Sequence, residues 1–392
     1  MTVVDAALVE RVFAAEEFEA RIAAVRAEMA ARGMDALLVT SPENIYYLLG
    51  LSHQGYFAFT MLVLPASGRP ALVTRDMERI TVANQAPEAV HVGFGDGEEP
   101  ASAVARCVRA HGLAAAALGV EKDHMFFPPK IWEEIQRLVP DARWRDGSGT
   151  VDGVRFPKSP AELAYVRRAA AVTQAAMQAG IDTAAAGVNE QEVVAEIYRA
   201  MVLAGGEYPG FAPLVRSSDT LDEEHSTWRD RVLRPGDRLF IELSGSVRRY
   251  HAPMSRIVNI GAPPRAVATA AVAARVGLEA VFDAVRPGAL TGDVYAAWEA
   301  AVGDHLGVTP EPRHHCGYSV GIGFPPSWVG GSVVIGIRPG GKVEIREGMV
   351  FHLFSWVAGS ARTGAYVLSE TALVTAAGAA PLHSAPRDLI VR

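Results

Sequence analysis

Cysteine is nearly absent from this chain. There are two, Cys107 and Cys316, in 392 residues. That is too few for a disulfide framework, and they lie too far apart for a zinc knuckle. A basic stripe is also missing. The formal net charge is −7, which argues against a nucleic-acid surface, because phosphate binding needs clustered Lys and Arg. No apolar run is long enough to cross a bilayer, and Met1-Thr-Val-Val-Asp5 is not a basic region leading into an apolar one. The expected location is therefore the cytoplasm. No glycine fingerprint for a dinucleotide follows any expected strand, so no such cofactor is expected.

What is present is a large store of core-forming residues. Hydrophobic types make up 49% of the chain and charged types 21%, the balance of a folded protein too long for one ordinary core. Phe18, Ile22, Val25 and Met29 recur at helical spacing over Glu16–Gly33. A short strand over Asp35–Thr40 follows, and Ser41-Pro42 has the chemistry of a helix start. Strands over Tyr56–Leu64 and Pro70–Thr74 and a helix near Met77–Asn84 come next. Ala101–Ala110, Ala115–Glu121 and Pro128–Leu138 continue the alternation, which means an α/β layer domain. Ser159-Pro-Ala-Glu162 is then a capping box opening a long helix. Helices over 160–182, 190–204, 265–285 and 291–305 alternate with strands near 213–217, 239–260, 349–358 and 364–375. This predicts an α+β domain. The expected division is 1–157 and 158–392.

One stretch, Asp237–Ile260, reads as two strands, Leu239–Leu243 and Ser255–Ile260, joined by a polar connection. It carries Glu242 at one end and Tyr250 and His251 at the other. A carboxylate and an imidazole on one hairpin are raw material for acid/base chemistry, and equally an edge hairpin with a charge facing water.

Three marks carry a family resemblance. Phe156-Pro-Lys-Ser-Pro-Ala-Glu-Leu163, Arg234-Pro-Gly-Asp237 and Arg346-Glu-Gly-Met-Val-Phe351, at their spacing, resemble the prolidase–aminopeptidase–creatinase superfamily of the pita-bread fold. The peptidases of that superfamily hold two metal ions through five side chains, and those places read here as Glu242, Pro253, Tyr318, Phe354 and Ser369. One carboxylate cannot hold a two-ion site, so no metal is expected. The stretch His314–Trp328, with Tyr250–Arg256 and Gly348–His352, is similar to the metal-independent creatinase and ectoine-hydrolase-like branch.

The resemblance implies catalytic roles for His225, Glu242, Tyr318 and Glu370, with His225 as proton relay because an imidazole titrates near working pH. It implies substrate contacts from Phe57, Phe59, Tyr250, His251, His315, Trp328, Arg338 and His352. On an extended segment only one of His314 and His315 can face the site, and His352 reads equally as a core histidine. Ser255, Leu368 and Phe59 stand where creatinase keeps two glutamates and an arginine, so a changed substrate is expected. The expected function is hydrolysis of a non-peptide C–N bond in a small polar amidine, amide or urea-like molecule. The alternatives are elimination, dehydration or cyclisation on the same site, a non-catalytic binding module, or a metallopeptidase. A homodimer whose partner brings the Tyr56–Phe59 loop to the site is the expected assembly.

Overall fold

The computed structural model describes residues 11–330, 333–358 and 365–392. The chain forms two compact units, one reaching Arg155 and the other running from Phe156 to Gly330 and from Val334 to Arg392.

In the first unit α1 (Ala15–Ala31) buries Phe18, Ile22, Val25 and Met29, the residues whose spacing predicted it. The order continues β1 (Ala36–Val39), α2 (Pro42–Leu49), β2 (Met61–Pro65), β3 (Ala71–Arg75), α3 (Arg79–Gln85), β4 (Val90–Phe94), α4 (Pro100–Ala110), β5 (Ala117–Val120), α5 (Pro129–Leu138), β6 (Arg143–Asp146) and α6 (Thr150–Arg155). The strands make one sheet in the order β4-β3-β2-β1-β5-β6. Ser41 caps α2, its hydroxyl accepting from the Asn44 N–H. The strand expected from Tyr56 begins only at Met61, because Gln54–Phe57 is a turn of 3₁₀ helix. Phe57 is 77% exposed, whereas Phe59 packs into the core of this unit against Phe127. Phe59 is therefore a core residue here and not a ring offered at a loop tip. Glu121, Asn44, Asp152 and Arg155 form a buried polar cluster, in which Asn44 Nδ2 donates to Glu121 at 2.6 Å and to Asp152 at 3.1 Å.

The second unit opens with α7 (Pro160–Thr183), whose Ser159–Glu162 capping box forms as its sequence predicts, and α8 (Glu190–Leu203). There follow β7 (Leu214–Ser217), β8 (Arg238–Leu243), β9 (Ser246–Val247), β10 (Tyr250–His251), β11 (Met254–Asn259), α9 (Arg265–Ala284), α10 (Thr291–Leu306), β12 (Gly317–Ser319), β13 (Val350–Val357), β14 (Tyr366–Thr375), β15 (Gly378–Pro381) and β16 (Ile390–Val391). Six strands follow one another in the order β12-β13-β14-β11-β8-β7, with β15 and β16 added to β14 and β11. Helix pairs beside this sheet make the α+β architecture that the sequence pattern implies.

Strand alternation decides which side chains meet the helices. A Cβ on Gly180 of α7 would lie 3.2 Å from Ile241, so α7 packs on the face of β8 that Ile241 presents. A Cβ on Gly277 of α9 would lie 2.5 Å from Ser355 Oγ, which also accepts from Trp298 Nε1 of α10. Ile241 and Ser355 alternate with Glu242 and Phe354. Both helix pairs thus cover one face, and Glu242, His352 and Phe354 belong to the other.

The connection between β8 and β11 is a hairpin of its own, β9 and β10 joined by Arg248-Arg249 with φ of 47° and 65°. Two left-handed residues suit the twist of a two-residue hairpin but strain an arginine. Arg249 offsets that strain by burial. Its guanidinium donates to the Tyr208 carbonyl, to Ser246 Oγ and to Glu207, and it stacks 4.0 Å over the Tyr208 ring.

Candidate active site

The face that carries no helices holds a cavity of about 100 Å³ in the second unit. Strand after strand contributes one to three side chains to it at alternating positions: Leu214 from β7, Phe240 and Glu242 from β8, Ser255 from β11, Tyr318 from β12, His352, Phe354 and Trp356 from β13, and Val367 and Ser369 from β14. Loops add Phe211, Glu224, His225, Arg313, His314, His315 and Trp328.

Glu242 is the carboxyl at the centre of this lining. Its side chain keeps 17% exposure, and no hydrogen bond reaches its carboxyl oxygens among the described residues. Burial lifts its pKa to about 7. Arg216 pulls the other way, and the charge of Glu224 adds to the rise. Beside it runs a chain of polar groups. Trp328 Nε1 donates to the Tyr318 hydroxyl at 3.1 Å, the same hydroxyl lies 2.9 Å from His352 Nδ1, and His352 Nε2 lies 2.7 Å from Ser369 Oγ. The Ser255 N–H donates to Ser369 Oγ at 2.7 Å. Burial holds His352 well below the ordinary imidazole range and Tyr318 well above the ordinary phenol range, so both are neutral. Two polar atoms of the lining, Ser255 Oγ and His315 Nδ1, are buried without a hydrogen-bond partner among the described residues.

Charge at the rim comes from Arg313 and Glu224, paired at 2.6 Å, with Arg313 stacked 4.5 Å from the Trp356 ring centre. His225 is exposed and lines the same cavity as Glu242. His314 and His315 both line it, with ring centres 3.9 Å apart. The expectation that only one could do so assumed a strand, and the chain bends at His314 instead. His315 is held neutral, burial and its neighbours His314 and Arg313 pushing its pKa down to about 4. Trp328 forms a wall, edge-on to Phe211 at 4.7 Å.

Four expected site residues of this unit lie outside the lining. Tyr250 is buried, donating to Glu162 at 2.9 Å and stacked on Tyr165. His251 is buried too, its Nε2 accepting from the Gly210 N–H and its Nδ1 facing the Arg249 carbonyl. Burial and then Arg249 push the His251 pKa down to about 3, so it is a neutral structural link. Glu370 follows Ser369 on β14 and therefore points to the opposite face. There it meets His383 at 2.8 Å and Arg256; burial alone would raise its pKa, but these partners hold it below the usual carboxylate range. Arg338 is exposed and contributes to the site only through its charge near His315. Cys316 is buried and burial raises its thiol pKa, so it is inert.

The donor set decides what ion this cavity could take. Of the five peptidase ligand places, Phe354 and Pro253 offer no side-chain donor, and Tyr318 and Ser369 offer neutral hydroxyls already bonded to His352. Among the described residues no three of His, Cys, Asp and Glu gather closely enough to hold a metal ion. A pair of divalent ions bridged by carboxylates does not fit these residues.

Residues 164–376 match the family described as Metallopeptidase family M24, and residues 21–156 match the Creatinase/Prolidase N-terminal domain. The chain is 29% identical over 400 residues to an ectoine hydrolase of Halomonas elongata, spanning 97% of this chain and 98% of that one. It is 31% identical over 395 residues to a Sinorhizobium fredii protein described as an uncharacterized hydrolase/peptidase, y4tM, with the same spans of 97% and 98%. Its fold is similar to that of a recombinant prolidase from Thermococcus sibiricus, with a TM-score of 0.85 at 20% identity over 96% of this chain and 99% of the other.

Proposed function

The chain belongs to metallopeptidase family M24, and we propose that it is a metal-independent hydrolase of a non-peptide C–N bond in a small polar molecule bearing a cyclic amidine, amide or urea-like group. Glu242 carries this reading. Its carboxyl stands in the cavity without a hydrogen-bond partner among the described residues, with a pKa near 7, where a peptidase would need it to hold an ion alongside four further donors. A half-buried carboxylate that accepts no hydrogen bond among the described residues favours a cationic nitrogen as its ligand. The likeness to an ectoine hydrolase along 97% of the chain supports a substrate of that kind.

In this reading Glu242 holds the substrate's charged nitrogen, and the aromatic walls formed by Phe211, Trp328, Phe354 and Trp356 displace water around it. His225, at the exposed rim, moves a proton between water and the leaving nitrogen. Tyr318 polarises the reacting group through its hydroxyl. The protein works as a homodimer, with Phe57 available for contact with the partner because it is 77% exposed.

The test is incubation of the purified protein with ectoine, other cyclic amidines and the open-chain guanidine creatine, followed by mass spectrometry and thermal melting. The expected result is products whose summed mass exceeds that of the substrate by one water, a single heavier molecule where a ring is opened and two smaller ones where an open chain is cut, and a melting point raised by the substrate that is turned over. Failure of all of them to bind or open would sink the proposal. A product formed without water would move the site to elimination or cyclisation. Light scattering tests the dimer, and a monomer with full activity would overturn that part.

A further inference from the structure

Ser369 Oγ is buried and accepts the Ser255 N–H, so its own hydrogen needs an acceptor. Among the described residues the acceptor in reach is His352 Nε2 at 2.7 Å, while Ser255 Oγ makes no hydrogen bond. A serine that donates to Nε2 fixes the neutral ring with its hydrogen on Nδ1. That hydrogen then points at the Tyr318 hydroxyl oxygen, 2.9 Å away, which also receives the Trp328 Nε1–H at 3.1 Å. With two donors aimed at its oxygen, the phenol cannot turn its own hydrogen towards either of them. That hydrogen is left to the cavity, which Glu242 lines as well.

From this chain of bonds we infer that Ser369 and His352 are positioning residues that, with Trp328, aim the Tyr318 hydroxyl hydrogen at the substrate nitrogen that leaves. The inference rests on the hydrolase reading for the identity of that nitrogen, but the direction of the hydrogen stands on the bonds alone. In the step itself water adds to the carbon, forming the C–O bond and giving its proton to His225. The C–N bond then breaks with its electron pair left on nitrogen, which takes the Tyr318 O–H proton. The phenolate so formed is held by the Trp328 and His352 N–H groups and receives the proton from His225 through water, so that His225 and Tyr318 together carry one proton from water to the leaving nitrogen. The opposite tautomer would leave Tyr318 donating to His352 and the cavity without this donor. The serine at one of the five peptidase ligand places thus sets the direction of a donor two groups away.

Nitrogen-15 chemical shifts of the histidine rings in labelled full-length protein read the tautomer directly, with no substrate needed. Comparison with His352→Gln assigns the signals. The expected spectrum has the hydrogen of His352 on Nδ1, and a hydrogen on Nε2 or a doubly protonated ring overturns the inference. The kinetic arm is a double-mutant cycle. Ser369→Ala is expected to lower kcat by about 10–100-fold with KM changed less than about threefold, and to cost nothing further in a Tyr318→Phe background. Equal losses in both backgrounds overturn the inference, because Ser369 would then act independently of Tyr318. If no cyclic amidine is turned over, the functional proposal falls and the spectrum still decides the positioning chain.

Discussion

Glu242 Oε1 lies 3.8 Å from His352 Nδ1, although two strands separate their own. β14 and β11 stand between β13 and β8, so a flat sheet would hold the two backbones about 14 Å apart. Both side chains reach across the intervening strands, over the positions of Ser255 and Ser369, to close that separation. The site is therefore a property of the sheet as a whole and of no single loop.

The pH dependence of substrate capture follows from Glu242. Its pKa of about 7 means that the carboxylate able to hold a cation appears as pH rises through neutrality. KM for a cationic substrate is expected to fall between about pH 6 and pH 8, and Glu242→Gln is expected to flatten that profile and to cut kcat/KM roughly 10²-fold or more. Steady-state kinetics across this range provide the check. An unchanged profile in Glu242→Gln would show that another group titrates.

Stability should respond in the opposite sense. In the folded chain Glu242 holds its proton up to about pH 7, against an ordinary value of 4.5. Between these values the folded state binds more protons than the unfolded one, so this group lowers stability as pH rises through that window. Glu242→Gln, which carries no charge, is expected to melt higher than wild type at pH 8, by a margin on the order of 1–3 kcal/mol. The margin should vanish below about pH 4.5. Melting curves at the two ends of the window measure it.

His225 is exposed, so its removal should cost chemistry and little structure. His225→Ala is expected to reduce turnover by roughly 10²–10⁴-fold with a melting point close to that of wild type. Retention of more than about a tenth of the activity would remove the residue from the mechanism.

The donor set makes a further demand. Purified protein is expected to contain no stoichiometric manganese, zinc, iron or cobalt, and prolonged treatment with a strong chelator should leave its activity unchanged. Elemental analysis beside the assay settles the matter. Tightly bound ions whose removal abolishes activity and whose return restores it would overturn the metal-independent reading.

Much of this molecule could be read from its residues, and what could not has physical causes. The long helices announced themselves through the Ser159–Glu162 box and through apolar spacing such as Phe18–Ile22–Val25–Met29. β4 and β6 did not, because edge strands carry exposed and charged residues, as in Arg143-Trp-Arg-Asp146, that hide the apolar signal. Glu242, Tyr318, His315, His352, Trp328 and His225 could be named together because each lies in a motif with a place in the fold, and all line one cavity. Tyr250 and His251 misled for the reverse reason. They stand in such a motif, yet the tight Arg248-Arg249 turn folds them inward as packing. Glu370 was misjudged by one residue, which on a strand is the difference between the two faces. Glu224 and Arg313 were missed altogether. They sit in loops that leave no periodic signal, and their pairing joins segments 89 residues apart.

Because both helix pairs cover one face of the sheet, alternate strand positions answer to different pressures. Ile241 and Ser355 must satisfy the helices, while their neighbours Glu242 and Phe354 face only a cavity. Changes at every second position along a strand therefore alter what the cavity can hold while the contacts to the helices stay as they are, so that the chemistry of this sheet can be rewritten from one face alone.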